Sequence, residues 1–276
     1  MNRRQFLRTA VYGSAVVVPL GSTCLAFAES TDLRVARLGI PLPQLPRAFH
    51  GLRVAFITDI HLGPFITEDY VRSVVRTTMA LAPDLVLLGG DYSHRDNKYI
   101  APCFDILKFL HAPLGVFGVL GNHDYYRNAV EETRTGMQRA HVEELTNRGV
   151  WLARGGARFR LAGVDDLLYG QPNLTAALGD CTPTDACLLV SHNPDFAETL
   201  TDRRVGLVLS GHTHGGQVNV PLLGAPWTPS AYGSKYAHGL VDAPATTVYI
   251  SAGVGMTAVP VRANRKPEIA IITLTV

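Results

Sequence analysis

Charge and thiol are both scarce in this sequence. Only 17% of the 276 residues are charged, and the small positive balance is local. Residues 1–28 hold Arg3, Arg4 and Arg8 and no acid; setting them aside leaves 22 basic against 23 acidic residues. A near-neutral body has no electrostatic footprint for nucleic acid, so no specific nucleic-acid partner is expected. Beyond Cys24 the body has three cysteines, Cys103, Cys181 and Cys187, and an odd, small count excludes a disulfide framework. Cys181 and Cys187 could still bridge locally in an oxidising compartment. There is no low-complexity tract, no internal repeat and no dividing linker. With 47% hydrophobic residues the chain can bury one large core or two small ones, and a monomer is expected.

The start reads as an address. Asn2-Arg3-Arg4-Gln5-Phe6-Leu7-Arg8 is a basic region with paired arginines, Thr9 to Ala28 is uncharged, and Ala26-Phe27-Ala28 offers a small-x-small cleavage site. The stretch resembles a twin-arginine export signal, which implies the twin-arginine machinery as a partner and a destination in the periplasm or cell envelope. Twenty uncharged residues can also just span a bilayer, so attachment through residues 9–28 is the alternative. Gly13, Ser14, Pro19, Gly21 and Ser22 make the run only moderately apolar and favour a cleaved signal.

After a Pro-rich lead-in (residues 29–49) the pattern alternates short apolar runs with helical periodicity. Strands are expected at 52–58, 85–88 and 116–120, and helices at 68–81, capped by Thr67, and at 100–110. The longest helix is expected at 129–148, closed by Gly149. Consecutive strands follow near 150–152, 159–164, 188–190, 207–210, 248–251 and 269–274. Such an order predicts an α/β fold with a mixed sheet covered by helices, as one domain over residues 50–276.

What lies just after each strand is the informative part. The runs lead into Asp59-Ile60-His61, Gly90-Asp91, Gly121-Asn122-His123-Asp124, His192 and Gly211-His212-Thr213-His214. Ligands of α/β sheets sit beyond the carboxyl ends of strands, so these residues are expected to converge. Asp, His and Asn donors without a thiolate suit Mn²⁺, Fe or Zn²⁺. Paired metals can clamp the attacking and leaving oxygens of a displacement at phosphorus and generate hydroxide near neutral pH.

The series D-x-H, G-D, G-N-H-D, H, G-H-T-H resembles the calcineurin-like metallophosphoesterase superfamily. The resemblance implies a four-layer α/β/β/α sandwich with two mixed β-sheets. It also implies two divalent ions, with Asp59, His61 and His214 on one, Asn122, His192 and His212 on the other, and Asp91 bridging. His123 would face the substrate and protonate the leaving oxygen. Where many members carry a second Asp, this chain has His94, similar to the nuclease branch; His94 is therefore a second catalytic candidate. Asp124 is expected to orient its loop, and His50, His111, His141 and His238 to lie on the surface.

GHTHGGQV (211–218), Lys235-Tyr236, Gly239-Leu240, residues 250–255 (ISAGVG) and Pro267-Glu268-Ile269 resemble exported or membrane-attached bacterial phosphoesterases. That branch includes UDP-2,3-diacylglucosamine pyrophosphatases of lipid A synthesis and manganese-dependent phosphodiesterases. The expected activity is hydrolysis of a phosphodiester or pyrophosphate bond by metal-bound hydroxide, on a nucleotide-lipid or related envelope phosphate, with Mn²⁺ the favoured metal. A nuclease or a non-catalytic metal-binding envelope protein is the alternative. Gly215 and Gly216 could admit a phosphate, and Trp227, Tyr232 and Tyr236 could stack a base or meet a membrane surface.

Overall fold

The computed structural model describes residues 31–258 and 260–276; residues 1–28, which resemble an export signal, lie outside them. Twelve strands are found there: β1 (Arg34–Pro41), β2 (Leu52–Ile57), β3 (Leu85–Leu88), β4 (Val116–Gly118), β5 (Glu143–Glu144), β6 (Arg148–Arg154), β7 (Ala157–Gly163), β8 (Cys187–Val190), β9 (Leu207–Ser210), β10 (Gly239–Asp242), β11 (Thr247–Ile250) and β12 (Glu268–Thr275). The α-helices are α1 (Glu68–Ala80), α2 (Ile100–Leu107), α3 (Val130–Arg139), α4 (Leu174–Leu178) and α5 (Phe196–Thr199).

Two six-stranded sheets form, in the orders β1-β12-β2-β3-β4-β5 and β10-β11-β9-β8-β7-β6. Both are mixed: β12 runs antiparallel to β2, and β6 and β10 antiparallel to their neighbours, while the central pairs are parallel. The alternation of side chains along a strand sorts the core into layers. In β2, Val54 and Phe56 meet Leu188, Leu207 and Leu209 of the other sheet, whereas Ala55 and Ile57 face α1 and α2 through Val71, Val74 and Phe104. On the far side of the second sheet, Leu189 and Val208 pack on Ala177, Leu178, Phe196 and Ala197 of α4 and α5. The result is the expected α/β/β/α sandwich.

Three expectations give way. The lead-in is part of the fold: β1 pairs in parallel with β12 from Arg34↔Glu268 to Pro41↔Thr275, and Ile40, Leu42, Leu45 and Phe49 are buried between the sheets. The helix expected at 129–148 stops at Arg139, and His141 takes a left-handed φ of 57°. Val142 and Leu145 serve different core layers, which one helix face could not do. Gly149 lies in β6, where a Cβ would collide with the Ala177 carbonyl and the Arg160 side chain; it answers to packing, not to a helix end. Cys103, Cys181 and Cys187 are buried free thiols.

Candidate metal centre

Every expected donor sits just past a strand. Asp59 and His61 follow β2, Asp91 follows β3, Asn122 and His123 follow β4, His192 follows β8, and His212 and His214 follow β9. Both sheets therefore contribute, and all eight side chains are buried. Asp59, His61, Asp91, His212 and His214 adopt φ between 49° and 67°. Non-glycine residues in this region cost about 1–3 kcal/mol each and gather where surrounding structure forces them. Here the strain turns side chains from separate loops toward one point. Gly211 has to be glycine, since a Cβ there would collide with Asp59 and Thr58.

Ligand atoms of Asp59, His61 and His214 lie within 4.8 Å of one another, as do those of Asp59, Asp91 and His192 and those of His61, His94 and His123. His61 Nε2 faces His214 Nε2 at 3.1 Å, and His214 Nε2 lies 3.3 Å from Asp59 Oδ1. Across the centre, Asn122 Oδ1 lies 2.8 Å from His212 Nδ1 and 3.2 Å from His192 Nε2. Asp91 Oδ2 stands between the halves, 3.4 Å from His61 Nε2 and 3.3 Å from His192 Nε2. The two imidazoles of G-H-T-H thus go to opposite halves.

The surroundings hold these groups in place. His212 N–H donates to both oxygens of Asp59 (3.0 and 3.1 Å), and Thr58 Oγ1 donates to Asp59 Oδ2 (2.8 Å). His192 Nδ1 bonds the Gly89 carbonyl at 2.7 Å, which leaves Nε2 as the lone-pair nitrogen, the usual arrangement behind a metal-bound imidazole. His61 Nδ1 and His214 Nδ1 are buried without a hydrogen-bond partner.

Electrostatics point the same way. Burial pushes the His61 and His214 imidazoles well below their ordinary pKa and His212 down to about 4, so all three offer lone pairs at neutral pH. Burial also opposes charge on His192, yet the Asp91 and Asp59 carboxylates push it up to about 10. Two buried carboxylates thus draw a proton onto an imidazole; a divalent cation supplies that charge and frees the nitrogen. The donor set and its charge deficit fit divalent metal.

His123 and His94 wall the centre on the side of His61. The His123 ring lies 4.5 Å from that of His61, and His94 lies 6.2 Å from His123. Asp124 does orient the loops, accepting N–H donors from Asp91, Tyr92 and Gly121 at 2.8–3.1 Å.

The expected substrate residues separate. Gly215 and Gly216 have positive φ, and a Cβ on them would meet Arg265 and Ala225, so the turn itself calls for glycine at both. Trp227 and Tyr232 are exposed, whereas Tyr236 is buried, with its hydroxyl on Glu198 Oε1 at 2.7 Å, and cannot meet a substrate. His238 is not a free surface residue either, since its Nε2 lies 3.2 Å from both oxygens of buried Glu268. Sequence reasoning missed Arg262, whose buried guanidinium donates to the carbonyls of Gly255 (2.6 Å), Ala252 (2.7 Å) and His214 (3.3 Å). It fastens the His214 loop to the segment behind Asp59, and no motif or periodicity marks it.

Residues 52–216 match the family model for calcineurin-like phosphoesterases. The chain is 32% identical to the uncharacterized metallophosphoesterase YkuE of Bacillus subtilis, over 99% of this chain and 98% of that protein. It is 31% identical to the phosphodiesterase YaeI of Escherichia coli, over 80% and 82% of the two chains. The transmembrane protein with metallophosphoesterase domain of Bos taurus is 30% identical over 87% of this chain, which spans 56% of that longer protein.

Proposed function

The chain belongs to the calcineurin-like phosphoesterase family, a metal-dependent phosphoric ester hydrolase, and from that premise we propose that it cleaves a phosphodiester or pyrophosphate bond at a two-metal centre. The observation that carries this reading is the place of Asp91 Oδ2, within 3.4 Å of one imidazole from each half of the site. Asp59, His61 and His214 would hold one ion, Asn122, His192 and His212 the other, and Asp91 would be common to both. When bound, such a pair acidifies water and neutralises charge on the phosphate. His123 stands beside the shared carboxylate, with its backbone N–H on Asp91 Oδ1 (2.8 Å), and gives a proton to the leaving oxygen. His94 lines the same wall and contacts the phosphate.

The substrate we propose is a phosphate borne on an envelope lipid or glycan, with UDP-2,3-diacylglucosamine as one candidate. Leu222 and Leu223 are 106% and 83% exposed and Trp227 66%, and no charge occurs from Asn219 to Ser234. An exposed apolar loop of this kind suits contact with acyl chains at a membrane surface. Its base is tied down by Ser230 Oγ and Ala231 N, which donate to Asp195 at 2.6 and 2.7 Å. The Gly216 backbone lies against it, two residues from His214. Export by the twin-arginine route belongs to this reading; no helix among the described residues is long and apolar enough to cross a membrane. That route carries folded protein, so metal would be loaded in the cytoplasm, which favours Mn²⁺. Metal analysis of the exported protein tests this point.

The test compares rates on UDP-2,3-diacylglucosamine and bis(p-nitrophenyl) phosphate in one Mn²⁺-loaded preparation, with EDTA as control. Preference for the nucleotide lipid, abolished by EDTA, is the expected result. Equal rates on both would remove the lipid assignment, and silence on both with metal bound would remove the hydrolytic one. A nuclease, the alternative raised by His94, would bind DNA with an affinity falling steeply with salt.

A further inference from the structure

Beyond the metal centre a file of rings leads outward from His123. The His123 and Tyr126 rings lie 4.7 Å apart, and Tyr126 meets Tyr169 edge-on at 5.5 Å. Asn122 Nδ2, on a residue of the metal centre, reaches the Tyr126 hydroxyl at 3.5 Å. On the other side of the entrance Phe65 stands against His94 at 6.0 Å. The Arg95 guanidinium lies over the Tyr126 ring, 5.7 Å from its centroid. The file therefore runs from the buried centre to open solvent, where Tyr169 is 55% exposed.

The outer end is built, not loose. Asp166 Oδ1 accepts the N–H groups of Leu168 (3.0 Å) and Tyr169 (2.8 Å). Asp165 accepts from Gln171 N (2.9 Å), Asp166 N (2.8 Å) and the Tyr125 hydroxyl. Two carboxylates are thus committed to presenting residues 168 and 169, although neither side chain is needed in the core. Arg95 is likewise set in a left-handed backbone conformation (φ 43°), as is Arg127 (φ 55°) next to Tyr126. An exposed aromatic ring held in place, with the Arg95 guanidinium over the neighbouring Tyr126 ring and a phosphate-reactive centre at its root, is a stacking surface.

We propose that Tyr126, Tyr169 and Arg95 form a subsite for a planar aromatic group, a nucleobase or an aryl ring, carried on the phosphate that the metal centre attacks. The side of phosphorus it occupies rests on the functional reading above: His123, as proton donor, touches the leaving oxygen, and Tyr126 touches His123, so the ring belongs to the leaving group. Arg95 adds positive charge over the Tyr126 ring, which suits a ring that bears phosphate. A base stacked on an aromatic side chain is worth a gain in affinity of about 5- to 150-fold, on the order of 1–3 kcal/mol.

The experiment is calorimetric binding to the Mn²⁺-loaded protein of AMP against ribose 5-phosphate, and of phenyl phosphate against methyl phosphate. Each pair shares the phosphate and differs in the ring. The expected result is at least a roughly fivefold advantage for the ring-bearing ligand, reduced to near unity in Tyr169→Ala and kept in Tyr169→Phe. An advantage in the AMP pair alone identifies a nucleobase; in both pairs, any planar ring. Tyr169 is exposed, so its removal leaves the core intact, and Tyr126→Ala gives an independent second test. No advantage in the wild type, or one that survives both alanine variants and vanishes in Trp227→Ala, would overturn the proposal. Binding is read without turnover, so a protein that hydrolyses nothing yet holds AMP on Tyr169 defeats the functional reading and leaves the subsite standing.

Discussion

The carboxylate of Asp124 accepts the backbone N–H of Asp91 at 2.9 Å and thereby locks the loop after β3 to the loop after β4. Asp91 Oδ2 stands between the two halves of the centre, 3.4 Å from His61 Nε2 and 3.3 Å from His192 Nε2, so a residue outside that cluster fixes its geometry. Replacing Asp124 with Asn sets an amide against three N–H donors where one rotamer offers a single oxygen. Loss of such a supporting partner costs a metal site about 10- to 100-fold in affinity or activity. Asp124→Asn is expected to lose that much kcat, or metal affinity by titration, with an unchanged circular dichroism spectrum.

His123 gives a prediction of a different kind. A group that protonates the leaving oxygen contributes about 10²–10⁴-fold when the leaving group is a poor one and little when it departs as a stable anion. His123→Ala is therefore expected to cripple hydrolysis of an alkyl or sugar ester and to spare bis(p-nitrophenyl) phosphate by comparison. Equal losses on both would mean that His123 serves binding or architecture and not proton transfer.

Acid stability tests the network behind β11. Burial alone would raise the Glu268 pKa, but hydrogen bonds from His238 and Tyr249 and the Ala252 N–H bring it from 4.5 down to about 2. A carboxylate with a depressed folded pKa stabilises the fold above its unfolded value, and that stability is lost as pH falls through the folded one. The wild type should therefore exceed Glu268→Gln by about 3 kcal/mol near pH 6, and the gap should close between pH 4.5 and pH 2. Denaturant melts of both EDTA-treated proteins across that range measure it.

That the residues of the site converge was legible for one reason: each of these loops follows a short run of apolar residues that reads as a buried strand, and Asp, His and Asn there have few structural uses; the pattern alone implies a single mixed sheet, and the two-sheet sandwich came with the family resemblance. Val205 to Ser210 followed by G-H-T-H shows the pattern. What escaped depends on contacts distant in sequence. Arg34 to Pro41 carries no strand periodicity that stands without β12. The stretch from Ala140 to Arg148 looks helical until Val142 and Leu145 are assigned to different layers. Tyr236 and Trp227 share one loop and one chemistry, and only packing sends the first into the core and leaves the second in solvent. The Tyr126–Tyr169 contact joins residues from loops after β4 and β7, which no local pattern could pair.

In the proposed centre Asp91 would be shared by two metal ions. Metal content per chain in the purified, manganese-loaded protein and its Asp91→Asn variant, by mass spectrometry, tests it most directly, with turnover measured on the same samples. Two ions are expected in the wild type and at most one in the variant, with a loss of turnover of at least about 10²-fold. Two tightly held ions and wild-type turnover in Asp91→Asn would contradict it.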